Sequence, residues 1–176
     1  MDEFIKALVS PGKNPLIPEE ENLYEQFIGE WDFDWFDHLE SPAPRQVKGE
    51  WIFQWILEGL AIQDIFICPS RTTRTTNPQP DAAYATTVRM YNSAKKAWDI
   101  LYTEWGCATC LEGRRENGKL VQTVVGNDRL RWVFSEMTPH AFRWERQETE
   151  DGKNWKVAAY LQAVRKKEKE SPTPLK

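Results

Sequence analysis

Between Ala83 and Arg165 the chain repeats one pattern seven times: a short run rich in β-branched and aromatic residues, then a cluster of turn formers. The runs are "AYATTVRMYN", "AWDILYTEW", "CATCLEGRR", "KLVQTVVGN", "LRWVFSEMT", "AFRWERQE" and "WKVAAYLQAVR". "NSAKK", "ENGK", "GNDR", "TPH" and "EDGKN" supply the turns. A beat of about 8–12 residues with such punctuation is that of an antiparallel meander, each strand pairing with the one before it.

Three more strands precede these. In "EWDFDWFDH" the period is two, with Trp31, Phe33 and Trp35 on one face and Asp32 and Asp34 on the other. "VKGEWIFQWILEG" aligns Trp51, Phe53 and Trp55, and "LAIQDIFICP" aligns Ile62, Asp64 and Phe66, with Glu58-Gly59 suited to the hairpin between them. "PEEENLYEQFIG", from Pro18 to Gly29, reads as a short helix with acids in its first turn. About ten antiparallel strands hide their edges most easily by closing on themselves. The fold expected is mainly β: a closed meander barrel with a short N-terminal helix. At 176 residues it is one domain over residues 19–166, with an irregular lead-in at 1–18 and a flexible charged tail at 167–176.

Closure defines an interior. Its expected lining is Trp31, Phe33, Trp35, Trp51, Phe53, Trp55, Ile62 and Phe66, then Val88, Met90, Leu130, Trp132, Phe134, Phe142 and Trp144. Nine tryptophans are many for one small domain, and each brings an N–H that wants a partner. A barrel of this strand number either leaves a ligand-sized space or is filled by these rings. The long Pro69–Asp81 segment, rich in threonine and bounded by prolines, reads either as a lid or as a surface excursion.

Asp64 is the polar residue that register places among the inward aromatics. One reading makes it a ligand acceptor or an acid/base with a raised pKa. The other pairs it structurally with a tryptophan N–H or an arginine, of which Arg89, Arg131, Arg143 and Arg146 are the candidates. Glu104 and Tyr102 share a face with Ile100 and Trp98, and periodicity leaves open whether that face or the one bearing Leu101, Thr103 and Trp105 points inward. An Asp64/Glu104 pair is the corresponding acid/base arrangement. The ligand-binding set expected is Trp35, Trp51, Trp55, Asp64, Tyr102, Arg131, Trp132 and Trp144.

Other chemistry is sparsely represented. "CATC" spaces Cys107 and Cys110 as CxxC, but strand alternation sends the two sulfurs to opposite faces. His38 and His140 both sit beside turns, and no cysteine or carboxylate cluster joins them, so neither metal nor cofactor is expected. A net charge of −4 without a basic stripe argues against nucleic acid. "MDEFIKALVSPGKNP" is not a secretion signal, the apolar runs are too short to span a bilayer, and three cysteines do not suggest a paired disulfide scaffold. The expected setting is cytoplasmic, without a membrane partner.

"FIGEWDFDWFDH", "GEWIFQWILEGLAIQDIFICP", "RWVFSEMTPHAFRWERQETEDGKNW" and the final "AVR" resemble a family of small bacterial proteins with a calycin-like (lipocalin-related) barrel, a domain of unknown function. The resemblance runs from about Phe27 to Arg165. It rests on Gly29 and Trp31, on Gly49, Trp51, Trp55, Leu57, Gly59 and Asp64, and on Gly113, Gly126, Arg131, Phe134, Phe142, Trp144, Asp151, Gly152 and Trp155. The "GEWDFDWF" run is more aromatic than the family pattern, and "CATC" lies outside it. The resemblance implies a calycin/lipocalin-like barrel. Such barrels commonly bind small apolar molecules and in a minority catalyse reactions in the same cavity; the resemblance neither chooses between these nor assigns a catalytic residue.

Three functions are consistent with this reading. The first is intracellular binding of a small, largely apolar or aromatic ligand in a tryptophan-lined cavity. The second is a cofactor-independent isomerase, hydratase or cyclase using Asp64 as acid/base in that cavity. The third is self-association, as a homodimer, through the outward residues Ile52, Ile56 and Ile65.

Overall fold

In the computed structural model of the chain, which describes residues 2–167, ten antiparallel strands close into a barrel. They are β1 (Gly29–Asp37), β2 (Arg45–Ile56), β3 (Ala61–Cys68), β4 (Ala83–Asn92), β5 (Ala97–Glu104), β6 (Cys107–Glu116), β7 (Lys119–Val124), β8 (Asn127–Ser135), β9 (Ala141–Glu148) and β10 (Lys156–Arg165). Each pairs with its sequence neighbour, and β1 pairs with β10 to remove the edges. The meander expected from the turn spacing is the fold observed. The expected tail, from residue 168 on, lies outside the described residues.

The N-terminal helix is present but sits earlier than the charge pattern suggests. It is α1 (Glu3–Leu8), capped by the Asp2 side chain. Residues 18–29 instead form two 3-10 turns, Glu19–Glu21 and Glu25–Phe27. Their purpose is packing rather than helix formation. Leu23, Tyr24 and Phe27 turn into the barrel and stop one end, where Phe27 meets Phe53, Phe134 and Phe142. Burying Leu23 and Phe27 stabilises by about 1.5–3 kcal/mol each. The plug is also hydrogen-bonded to the wall: Trp31 Nε1 donates to Phe27 O at 2.7 Å, Trp98 Nε1 to Glu21 O at 2.9 Å, and Gln122 Nε2 to Tyr24 Oη at 3.0 Å. These bonds satisfy polar groups that burial would otherwise penalise.

The segment before the plug straps the outside of β2. Val9 bridges to Ile56, Ser10 N donates to Trp55 O, and Gln54 Nε2 donates to Ser10 O. Ile56, expected to offer an outward interface, is buried under this strap.

Register follows the aromatic alternation. Trp31 faces Trp51, and Phe33 lies across Gly49, where a Cβ would meet the Phe33 ring at 2.1 Å. Gly49 is thus needed for ring room rather than for backbone freedom. Most of the expected inward set points inward. Strand β4 does not follow it: Ala85, Thr87 and Arg89 are buried, whereas Met90 is exposed and Val88 only half-buried. The interior holds the carboxylate of Asp64, so this strand turns its cation inward and leaves its methionine to solvent. In β5 the buried face carries Trp98 and Ile100, with Tyr102 and Glu104 beyond them, and Leu101 and Trp105 are exposed.

Candidate functional site

Away from the plug, the interior opens toward the ends of β1, β3, β5 and β9 and the starts of β2, β4, β6 and β8. There a cavity of about 370 Å3 is walled by Trp35, Phe66, Tyr102, Trp132 and Trp144. Below it lies an inner chamber of about 80 Å3 that shares those five walls and adds Trp51, Thr87 and Arg89. The rings brace one another: Tyr102 sits edge-on to Trp132 at 5.0 Å, and Trp144 is 5.7 Å from both Trp132 and Trp35. Mutual edge-on and tilted ring contacts hold them in place without filling the space between.

The polar groups fall into three layers. At the rim, Arg45 is shared by Asp37 and Asp81, with Nε to Asp37 Oδ1 at 2.8 Å and Nη1 to Asp81 Oδ1 at 2.8 Å. The Arg45 guanidinium holds both carboxyls below the usual range, and the two in turn push Arg45 up. Trp35 Nε1 donates to Asp37 Oδ2 at 2.9 Å. These bonds pin the first residues of β2 to the end of the Pro69–Asp81 segment. That segment is tethered at its start as well: Ser70 N donates to Lys48 O, and Arg71 makes three bonds to Glu50.

The middle layer is Tyr102 and Glu104, two residues apart on β5 and both bordering the outer cavity. Burial, reinforced by the neighbouring Glu104 carboxylate, pushes the Tyr102 phenol well above its ordinary value. Tyr102 is therefore kept in its protonated form. Cys107 and Cys68 border the same cavity; burial pushes the Cys68 thiol up to about 12, whereas Cys107 is exposed. Cys110 is exposed too, and strand alternation turns it away from Cys107.

The deepest layer is Asp64, opposite Thr87 in the β3–β4 register, which in turn is opposite Tyr102. Arg89 Nη1 donates to Asp64 Oδ2, and both side chains are fully buried. The guanidinium also lies near the Tyr24 and Phe53 rings, at 5.1 and 5.6 Å. Arg89 Nε, Asp64 Oδ1 and Trp51 Nε1 have no partner.

The expected site residues separate accordingly. Trp35, Tyr102, Trp132, Trp144 and Glu104 border the outer cavity, and Trp51 borders the inner chamber. Trp55 is buried in the core and borders neither. Asp64 lies behind the chamber wall, paired with Arg89. Arg131 is on the outer surface: it stacks over Trp155 at 3.8 Å and donates to Gln147. The alternation that turns Leu130, Trp132 and Phe134 inward requires that. Arg45, Asp81, Thr87 and Cys107 are site residues that sequence reasoning did not select. Of the four arginines weighed as partners for Asp64, Arg89 on the adjacent strand is the one that pairs with it, and Arg146 borders the outer cavity instead. Among the described residues no group of three or more His, Cys, Asp or Glu could hold a metal, and no helix is long and apolar enough to cross a membrane.

No family model and no curated protein sequence matches the chain. The resemblance to calycin-like proteins therefore narrows to the barrel itself. Among solved structures, the chain is similar to the S-type phycobiliprotein lyase CPES from Guillardia theta, with a TM-score of 0.54 and 15% identity over 85% of this chain and 94% of that one. Similarity at this identity concerns the fold alone.

Proposed function

We propose that the barrel takes a small, planar, largely apolar molecule into its aromatic cavity and carries out proton chemistry on it without a cofactor. The observation that carries this reading is the open cavity whose apolar walls converge on Tyr102 and Glu104. Aromatic walls with a few convergent polar groups suit a small ligand, and about 370 Å3 accommodates one. Glu104 is the acid/base and Tyr102 the neutral donor. A proton taken by Glu104 from one atom of the ligand and returned to another is an isomerisation, balanced without a co-reactant. Asp64 is less suited to that role, because its charge is committed to Arg89; it acts instead as a positioning residue. That a lyase is built on a similar barrel favours chemistry over storage.

A carrier without turnover is the second reading, favoured by the same aromatic walls. Native mass spectrometry of the protein and of its Glu104→Gln variant, both purified from the organism that makes them, separates the two. An enzyme retains different small molecules in the two proteins, because the variant accumulates unconverted substrate. A carrier retains the same one. If both proteins are bare, the cavity reading itself falls.

A further inference from the structure

The inner chamber is mostly aromatic surface, and two hydrogen-bond donors on residues that border it have nothing to bond. Trp51 Nε1 and Arg89 Nε are buried without a partner, and both side chains border the chamber. Trp35 turns its N–H away to Asp37. Among the described residues, no carboxylate or amide side chain borders the chamber; its only side-chain acceptors are the hydroxyls of Thr87 and Tyr102, which are donors as well. Thr87 and Tyr102 are directly opposite across β4 and β5. An apolar site that carries two unsatisfied donors is complementary to an acceptor atom on an otherwise apolar molecule.

Charge decides which acceptor. Arg89 is already neutralised by Asp64, and both are shut off from water. A ligand carboxylate would add a second buried anion beside one cation and leave net negative charge in the interior. A neutral oxygen adds none. A carbonyl oxygen offers two lone pairs, enough for Trp51 and Arg89 together. We infer that the inner chamber recognises a neutral carbonyl group of the ligand, as found in a ketone, quinone, amide or lactam, with Trp51 and Arg89 as its donors. Asp64 holds Arg89 in place and keeps the chamber electrically neutral. This inference rests on the cavity being a ligand site and names the class of molecule it takes. It also places the polarised carbonyl beneath Tyr102 and Glu104, so that a proton beside that carbonyl is the one within the acid/base layer.

The test uses three probes on the intact protein by titration calorimetry: 2-acetylnaphthalene, the hydrocarbon 2-ethylnaphthalene of similar shape, and 2-naphthoate. The ketone is expected to bind roughly ten-fold more tightly than either of the others. Its C=O stretching band should move to lower frequency on binding and return part of the way in Trp51→Phe, a shift that mere packing would not produce. Equal affinity for ketone and hydrocarbon overturns the carbonyl assignment while leaving the aromatic cavity as a ligand site. Tightest binding of the naphthoate overturns it in favour of an anion site at Arg89. Failure of all three to bind removes the ligand-cavity reading and this inference with it.

Discussion

Asp64 on β3 and Arg89 on β4 form a fully buried ion pair one diagonal step apart in the antiparallel register, since Asp64 lies opposite Thr87 and Arg89 opposite Ile62. Taking both charges out of water is costly, and leaving one behind alone costs more. Asp64→Asn and Arg89→Met are each expected to lower unfolding stability by about 3–5 kcal/mol. The double change Asp64→Leu with Arg89→Met removes both charges and should recover most of that loss. Urea unfolding of the three variants measures this; additive losses would mean that the pair is not the unit that matters.

A second carboxylate, Glu50, is covered from outside the barrel rather than from within. Arg71 donates to it from its backbone and guanidinium, and Lys166 Nζ lies 3.1 Å away. Arg71 chiefly, with Lys166, lowers the Glu50 pKa to about 2 from an ordinary 4.5, against the opposing effect of burial. The folded value lies below the unfolded one, so this contribution is complete above about pH 4.5 and is lost as pH falls toward about 2. Because Arg71 is half exposed, we expect about 2 kcal/mol rather than the full shift. Glu50→Gln should cost that amount at pH 7, and its difference from the wild type should vanish by about pH 2. A difference that stays constant across acid unfolding curves would show that Glu50 acts by packing instead.

The strands were legible because their signal is local: period two, tryptophan and phenylalanine on one face, turn formers between. Closure followed from counting edges. The face of β5 was not legible, since "AWDILYTEW" alternates equally well either way until Trp98 and Ile100 are seen against the plug. Strand β4 misled because apolar Val88 and Met90 outrank Arg89 by composition, while the interior selected the arginine for its charge. Residues 18–29 carry the acids of a helix start, yet their apolar side chains serve as a stopper and the backbone bends into 3-10 turns to deliver them. What was hidden depended on partners distant in sequence. Arg45 meets Asp81 across 36 residues, and Gln122 meets Tyr24 across 98.

The outer strap makes a strong demand at the β2–β3 turn. Gly59 has φ +77°, and a Cβ there would lie 2.1 Å from the backbone oxygen of Gly12. Asn14 N bonds to Gly59 O at 3.0 Å, so the strap cannot simply move aside. Gly59→Ala combines left-handed backbone strain with that collision and should cost about 1–3 kcal/mol or more. Hydrogen exchange should show residues 9–14 opening first in the variant. Unchanged protection there would mean that the strap is not held by this turn.

The three thiols offer a chemical map of the cavity. Cys107 and Cys110 are exposed, whereas Cys68 is partly buried with its thiol pushed up to about 12. The thiolate is the reactive form, so at pH 8 Cys68 should react with iodoacetamide at least ten-fold more slowly than the other two. Cys107 borders the outer cavity and Cys110 does not. A molecule seated among Trp35, Trp132 and Trp144 should therefore slow labelling of Cys107 while leaving Cys110 unchanged. Peptide mass mapping with and without saturating 2-acetylnaphthalene reads both rates at once. Equal protection of Cys107 and Cys110 would point to binding on the outer surface, and protection of Cys107 alone would locate the ligand at the barrel mouth.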